Sequence, residues 1–430
     1  MSVPATSAAK FGPLSIFLLG LNTTIGSGIF LLPGAAYAAL GPSSLLLIIA
    51  GALLMLSLAL CYAEAASKFD RNGSSYLYVR YAFGDYAGFI VGLYGWLGLT
   101  IGIAAGVAGI LTALKPLLPV LVRSQPYYWA GLLVLCALFA ISFFGIRLSR
   151  RFNDLTSWAK LLPLLLFVLF GLSSIIPGHF QPFVPPAEHT LPLWSEHFGH
   201  VFATLFFAYV GFETVPIAAA HMREPERNLP RTLIAVVACC ALLYLLVTLV
   251  TIGVLGPALS HSSTPVAQAA ARLWGAQAYV LVSLATVVSI TGATFVGVFK
   301  APILAAALAQ NGIFPAWAGR INRHGSAGYA LGATASLAAL LFLSGGYLFL
   351  VSVMVVAVFV QYIPVALAIP RLRRDPGLPQ GWRMPLGRFV PHFAVLFSLA
   401  MLAQAGWRTL AIGLAGLVLG SLVYFVRQRS

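Results

Sequence analysis

Asn22-Thr23-Thr24-Ile25-Gly26-Ser27-Gly28-Ile29-Phe30-Leu31-Leu32-Pro33 lies in the middle of an apolar run over residues 13–39. A run of that length suits a helix crossing a bilayer, which needs about 20 largely apolar residues. Its centre does not suit one. Glycine weakens a helix by up to about 1 kcal/mol relative to alanine, and here two glycines flank Ser27 with Pro33 shortly after. The stretch predicts a local break at mid-depth, with unpaired backbone N–H groups at the start of a half-helix. Those groups and the helix dipole both favour an anionic partner such as a carboxylate. The alternative is that Gly26, Ser27 and Gly28 are small residues permitting close helix packing, as GxxxG-type patterns do.

The surrounding chain sets the solvent. It has 430 residues, of which 8% are charged and 60% hydrophobic, against about 25% and 45–50% in soluble domains. A soluble protein of this length could not hide so much apolar surface. The net charge of +15 would otherwise suggest nucleic acid, but the basic residues are separated by apolar runs too long for a soluble fold. Helix-length runs also argue against a membrane β-barrel, whose strands alternate every second residue. The expectation is an all-α integral membrane protein with twelve spans. They fall near 13–39, 43–66, 86–114, 127–144, 158–176, 198–220, 232–255, 276–309, 329–343, 348–369, 393–405 and 410–426. The first apolar segment follows Lys10 and Phe11 without a cleavage-site pattern and reads as a retained helix. Cys61, Cys136, Cys239 and Cys240 lie inside apolar runs without CxxC spacing and read as small packing residues.

Lys and Arg in the loops orient the chain. With the N-terminus inside, inner segments hold 19 of the 25 basic residues and outer segments hold 4, leaving Lys160 and Lys300 within spans. Both termini are expected on the cytoplasmic side of the inner membrane.

A second irregular stretch, Phe207-Ala208-Tyr209-Val210-Gly211-Phe212-Glu213, falls in the sixth span. Five spans separate it from the first, an odd number, so two repeats would be inverted in the membrane. Interrupted helices at matching places in inverted halves point to a transporter binding site at the bilayer midplane. Repeat one is expected over about 13–176, repeat two over about 198–369, with accessory helices at about 393–426 in one transport domain.

Few polar residues remain inside the spans. Lys160 is expensive in hydrocarbon and so a candidate coupling residue, or else it snorkels to the cytoplasmic face. Lys300 lies deep in the eighth span and either pairs with Glu64 or Glu213 or faces an acidic substrate. Glu213 follows the sixth-span irregularity; Glu64 is the better structural partner. Ser289, Thr291 and Thr294 cluster on the eighth span, where hydroxyls bonding their own helix backbone are the ordinary alternative. His197 and His200 form a loop-side pair, and the eight histidines show no metal spacing. No nucleotide loop, GxSxG or HExxH is present, which argues against an enzyme and against any cofactor.

The stretch 22–33 resembles the first-helix signature of the amino acid–polyamine–organocation superfamily. Phe206-Phe207-Ala208-Tyr209-Val210-Gly211-Phe212-Glu213 and Arg223-Glu224-Pro225-Glu226-Arg227-Asn228-Leu229-Pro230 resemble its sixth helix and the following loop. Asn72-Gly73-Ser74-Ser75-Tyr76 is similar to its second loop without the usual Pro and paired Gly, and Ala309-Gln310-Asn311-Gly312-Ile313-Phe314-Pro315 to the end of its eighth helix, where Arg-Asp is commoner. The resemblance implies a five-plus-five inverted-repeat, LeuT-like fold with helices 1 and 6 broken, plus two trailing helices. It implies a substrate site made of Thr23, Thr24, Ile25, Gly26, Ser27, Gly28, Phe207, Ala208, Tyr209, Gly211, Glu213 and Ser289. Amides at Ser27 and Gly28 would take a carboxylate, carbonyls near Thr24, Phe207 and Tyr209 an amino group, and Phe207 would close over the substrate. Lys160 matches a lysine that stands where relatives hold sodium and is a coupling candidate for protons rather than sodium; Lys300, outside the family pattern, is the second coupling candidate. The expected function is a sodium-independent amino acid transporter or exchanger. Its partners are the amino acid, a proton and the bilayer, and the protein is a monomer or homodimer. A polyamine or organic-cation transporter is the rival, and a channel or sensor a more distant one.

Overall fold

The computed structural model describes residues 13–69, 75–144, 146–184, 196–213, 215–216, 224–322 and 326–429. Among them the chain forms α-helices and short 3-10 turns, and no strand. Residues 72–74 of the second-loop motif and Arg223 lie outside the described residues, as do the side chains of His197 and His200.

The first apolar run divides into α1 (Pro13–Thr24), α2 (Gly28–Leu31) and α3 (Pro33–Leu40). It continues through α4 (Ser44–Ala66), α5 (Ser75–Phe83), α6 (Asp85–Leu114), α7 (Ser124–Phe143) and α8 (Ile146–Gly171). Then come α9 (Glu196–Phe207), α10 (Pro225–Leu255), α11 (Pro265–Trp274) and α12 (Ala276–Gln310). The chain ends with α13 (Gly328–Ser344), α14 (Tyr347–Arg374), α15 (Phe389–Ala403) and α16 (Trp407–Arg429). Eight helical stretches among the described residues are long and apolar enough to cross a membrane, and residues 14–24, 328–344 and 389–403 form shorter apolar helices. This is a multi-pass, all-helical membrane protein.

Two helices were not anticipated. α5 and α11 have only 9 and 10 residues, too short to span, and a search for 20-residue apolar runs does not see them. Each ends at a glycine that starts the next helix in the same backbone geometry: Gly84 at φ 90°, ψ 179° before α6, and Gly275 at φ 84°, ψ −176° before α12. The packing pairs in the same way. α4 lies on α9 and α10 on α1, α6 lies along α14 and α12 along α8, and α6 and α12 pack on each other at the centre.

Arg373 at the end of α14 forks onto Glu64 at the end of α4, with Nε–Oε1 2.5 Å and Nη2–Oε2 2.7 Å. The Met384 amide also donates to Glu64 at 2.9 Å. Glu64 is wholly buried, and a bidentate guanidinium plus an amide is what a buried carboxylate needs. The pair clamps two helix ends, and Glu64 is therefore not the partner of Lys300.

Candidate functional site: a cavity where α1 meets α9

α1 stops at Thr24, residues 25–27 bend, and α2 resumes at Gly28. A helix that stops inside apolar surroundings leaves carbonyls without intrahelical partners, and this chain supplies two long-range donors. Lys160 of α8 reaches in so that Nζ donates to the Asn22 carbonyl at 2.9 Å and to that of Ile25 at 2.6 Å. A lysine snorkelling to a membrane face would expose its ammonium, whereas this one is wholly buried. Its positive charge also sits at the negative end of the α1 dipole. Tyr244 of α10 supplies the other donor. Its hydroxyl lies 3.0 Å from the Thr24 carbonyl and 2.7 Å from the Ala208 carbonyl, so one proton is shared between the ends of α1 and α9.

α9 stops at Phe207, and 208–211 turn before a short 3-10 stretch. The two helix ends touch through backbone. A Cβ on Gly28 would stand 2.6 Å from the Ala208 Cα, and one on Gly211 would stand 2.4 Å from the Thr23 carbonyl oxygen. Gly211 also has φ +129°, a conformation that side-chain-bearing residues avoid. Gly28 and Gly211 are thus required by contact, which is a different reason from helix weakening.

Between these ends and the faces of α6, α12 and α14 lies a cavity of about 80 Å³, room for several waters at about 10–15 Å³ each. Thr23, Thr24, Gly26, Ser27, Gly28, Phe207, Ala208, Gly211, Glu213 and Lys300 line it. Gly102, Ile103, Gly106, Ala293, Thr294, Gly297 and Met354 complete much of the wall. Tyr347, the first residue of α14, donates to the Ser27 hydroxyl at 2.9 Å and meets the Phe207 ring edge-on at 6.5 Å. Glu213 Oε2 accepts from the Gly211 amide at 2.9 Å and from the Tyr362 hydroxyl at 2.7 Å. Lys300 lies within electrostatic reach of Glu213.

Three residues expected at the site face elsewhere. Ser289 is buried outside the cavity wall, because the lining residues of α12 follow helical spacing through Ile290, Ala293, Thr294, Gly297 and Lys300. One residue earlier on a helix is a rotation of about 100°. The Tyr209 hydroxyl turns away to donate to the Ile48 carbonyl at 3.0 Å. Ile25 is wholly buried and contributes its carbonyl to Lys160. Lys160 itself stands behind the wall rather than in it. Thr294 lines the cavity, but its hydroxyl donates to the Ile290 carbonyl of its own helix at 2.7 Å. Tyr244, Tyr347 and Tyr362 went unnoticed in the sequence because an aromatic in an apolar span carries no local signal; only a hydroxyl found buried beside a carbonyl, hydroxyl or carboxylate distinguishes them. Among the described residues no three His, Cys, Asp or Glu gather as a metal site.

Known transporters are similar in sequence to most or all of this chain. The branched-chain amino acid permease BcaP of Bacillus subtilis is 27% identical, covering 99% of this chain and 96% of its own. The methylthioribose transporter of the same organism is 26% identical over 100% and 96%. The chloroplastic cationic amino acid transporter 9 of Arabidopsis thaliana is 28% identical over 73% of this chain and 57% of its own. The family model described as amino acid permease matches residues 11–423. With a match of that extent, on an all-helical membrane fold, the chain belongs to the amino acid permease family and is a transporter, not an enzyme.

Proposed function

We propose that this chain is a secondary active transporter or exchanger that moves amino acids across the cytoplasmic membrane by alternating access, independently of sodium. The observation that carries the reading is the backbone contact between two interrupted helices beside one cavity with polar groups in its wall. In this reading α1 with α2 and α3 forms the first span and α9 with its continuation the sixth. α4, α6, α7, α8, α10, α12, α13, α14, α15 and α16 are the other ten. The paired packing and the matching α5–α6 and α11–α12 junctions support two inverted repeats, followed by the accessory helices α15 and α16. Lys and Arg distribution puts both termini in the cytoplasm.

The amides of Ser27 and Gly28 receive the substrate carboxylate, because the Gly26 amide already donates to the Thr24 carbonyl at 3.0 Å. Carbonyls at the ends of α1 and α9 receive its ammonium; that of Thr24, which accepts from both Gly26 and Tyr244, is not among them, since a carbonyl has two lone pairs. Phe207, resting on Tyr347, closes the outer side, and Glu213 with Tyr362 and Lys300 closes the inner side. Rocking of α1 and α9 against α6 and α12 opens one closure at a time. Sodium independence follows from Lys160: its ammonium occupies the Asn22 and Ile25 carbonyls that a cation would need, and an amine there can release and rebind a proton during the cycle.

The test is uptake into proteoliposomes across a panel of amino acids and amines, with and without sodium and pH gradients and internal counter-substrate. Saturable amino acid uptake, unchanged by sodium and accelerated by counter-substrate or a proton gradient, is expected. Non-saturating flux indifferent to counter-substrate would instead indicate a channel, and a strict sodium requirement would remove the role given to Lys160.

A further inference from the structure

Among the described residues Glu213 and Lys300 are the two ionisable groups in the cavity wall, and they lie within electrostatic reach of each other. Two donors, the Gly211 amide and the Tyr362 hydroxyl, already fix Glu213 Oε2 as an acceptor. Lys300 is only 8% exposed and occupies the cavity-facing register of α12 one turn beyond Gly297. Much of the rest of the wall is small or apolar: Gly102, Ile103, Gly106, Ala293, Gly297 and Met354. An amino acid whose carboxylate and ammonium lie at the breaks therefore has its side chain in a small, largely apolar space whose charged groups among the described residues are Glu213 and Lys300.

Alone, Glu213 would be the natural counter-charge for an ammonium or guanidinium, since a cation in a dry site needs a pairing anion. Lys300 removes that opportunity. A nearby like charge disfavours a second charged group in a dry site, and Lys300, within electrostatic reach of Glu213 in the same wall, offsets that carboxylate's attraction. Anionic side chains meet the converse problem at Glu213. A neutral side chain faces neither penalty. We propose, resting on the transporter reading above, that Lys300 is the specificity residue that confines this cavity to neutral amino acids by neutralising Glu213 and excluding cationic side chains. Polyamines are excluded on the same ground.

The experiment compares wild type, Lys300→Met and Lys300→Arg in proteoliposomes loaded with each standard amino acid in turn. L-lysine and L-norleucine serve as competitors, the second being the first without its side-chain amine. Wild type should take up neutral amino acids, with L-norleucine competing and L-lysine not. In Lys300→Met, L-lysine should compete at least about tenfold better, or 1.4 kcal/mol. Lys300→Arg, which keeps the charge, should retain exclusion, and adding Glu213→Gln to Lys300→Met should abolish the gain. Wild-type uptake of L-lysine or L-arginine, or no gain in a Lys300→Met protein that still transports, overturns the assignment while leaving an amino acid transporter. Wild type that moves no amino acid at all overturns the transporter reading instead. If Lys300→Met does not fold, the wild-type comparison decides: equal competition by L-lysine and L-norleucine overturns the assignment.

Discussion

Lys160 and Lys300 announce themselves in the same way, as a single lysine in an apolar span, and the fold uses them in opposite ways. Lys160 points at backbone. Its ammonium lies on two carbonyls of the α1 end, at 2.9 and 2.6 Å, wholly buried and behind the cavity wall. Lys300 stands in the cavity wall, within electrostatic reach of Glu213. A buried ammonium must find acceptors, but carbonyls and a carboxylate give it different work. Carbonyl dipoles cannot be neutralised, so Lys160 holds a helix end open and shapes the site from outside. A carboxylate can be neutralised, so Lys300 sets the net charge a substrate meets.

The largest effect that could break this contrast is at Lys160. Lys160→Met leaves two buried carbonyls without donors, at about 1–3 kcal/mol each. Thermal melting of the purified protein should fall, and uptake should drop below about a tenth of wild type. Uptake at the wild-type rate would mean that the α1 end is held without Lys160. The mirror of the Lys300 experiment comes next. Glu213→Gln leaves Lys300 as the sole charge in the wall, so L-glutamate should compete about tenfold better than against wild type. Competition by L-glutamate unchanged from wild type would show that the two charges do not act as a pair. The smallest effect sharpens the picture of the opposite closure. Tyr347→Phe removes one neutral hydrogen bond to Ser27, worth about 0.5–1.5 kcal/mol. It keeps the ring against Phe207, so KM should rise by about two- to tenfold with little change in melting temperature.

The class of this protein was plain from composition, and the family from stretch 22–33 together with residues 206–213. Both are local signals: a bilayer demands long apolar runs, and a helix that must stop needs glycine on the spot. Elements below spanning length were not legible, so α5 and α11 went unseen although they begin α6 and α12 in the same way. Side-chain direction was legible only to about one helical residue. Ser289 and Ile290 are neighbours in sequence, yet only the second faces the cavity. Glu64 reads from the sequence as the better structural partner, but what it pairs with is Arg373, more than three hundred residues away in the chain.

By itself the sequence determined that the chain is membrane-embedded and helical, that it belongs among amino acid permeases, and where its helices would weaken. These are properties of residue type and order, and they survive without knowing what touches what. The tertiary structure alone decided which groups meet: Tyr244 spanning the ends of α1 and α9, Tyr347 on Ser27, Tyr362 on Glu213, and Lys160 on the carbonyls of Asn22 and Ile25. The physical reason is that a buried polar atom is read by its partner. Here those partners come from helices far apart in the chain, brought together only when the helices pack.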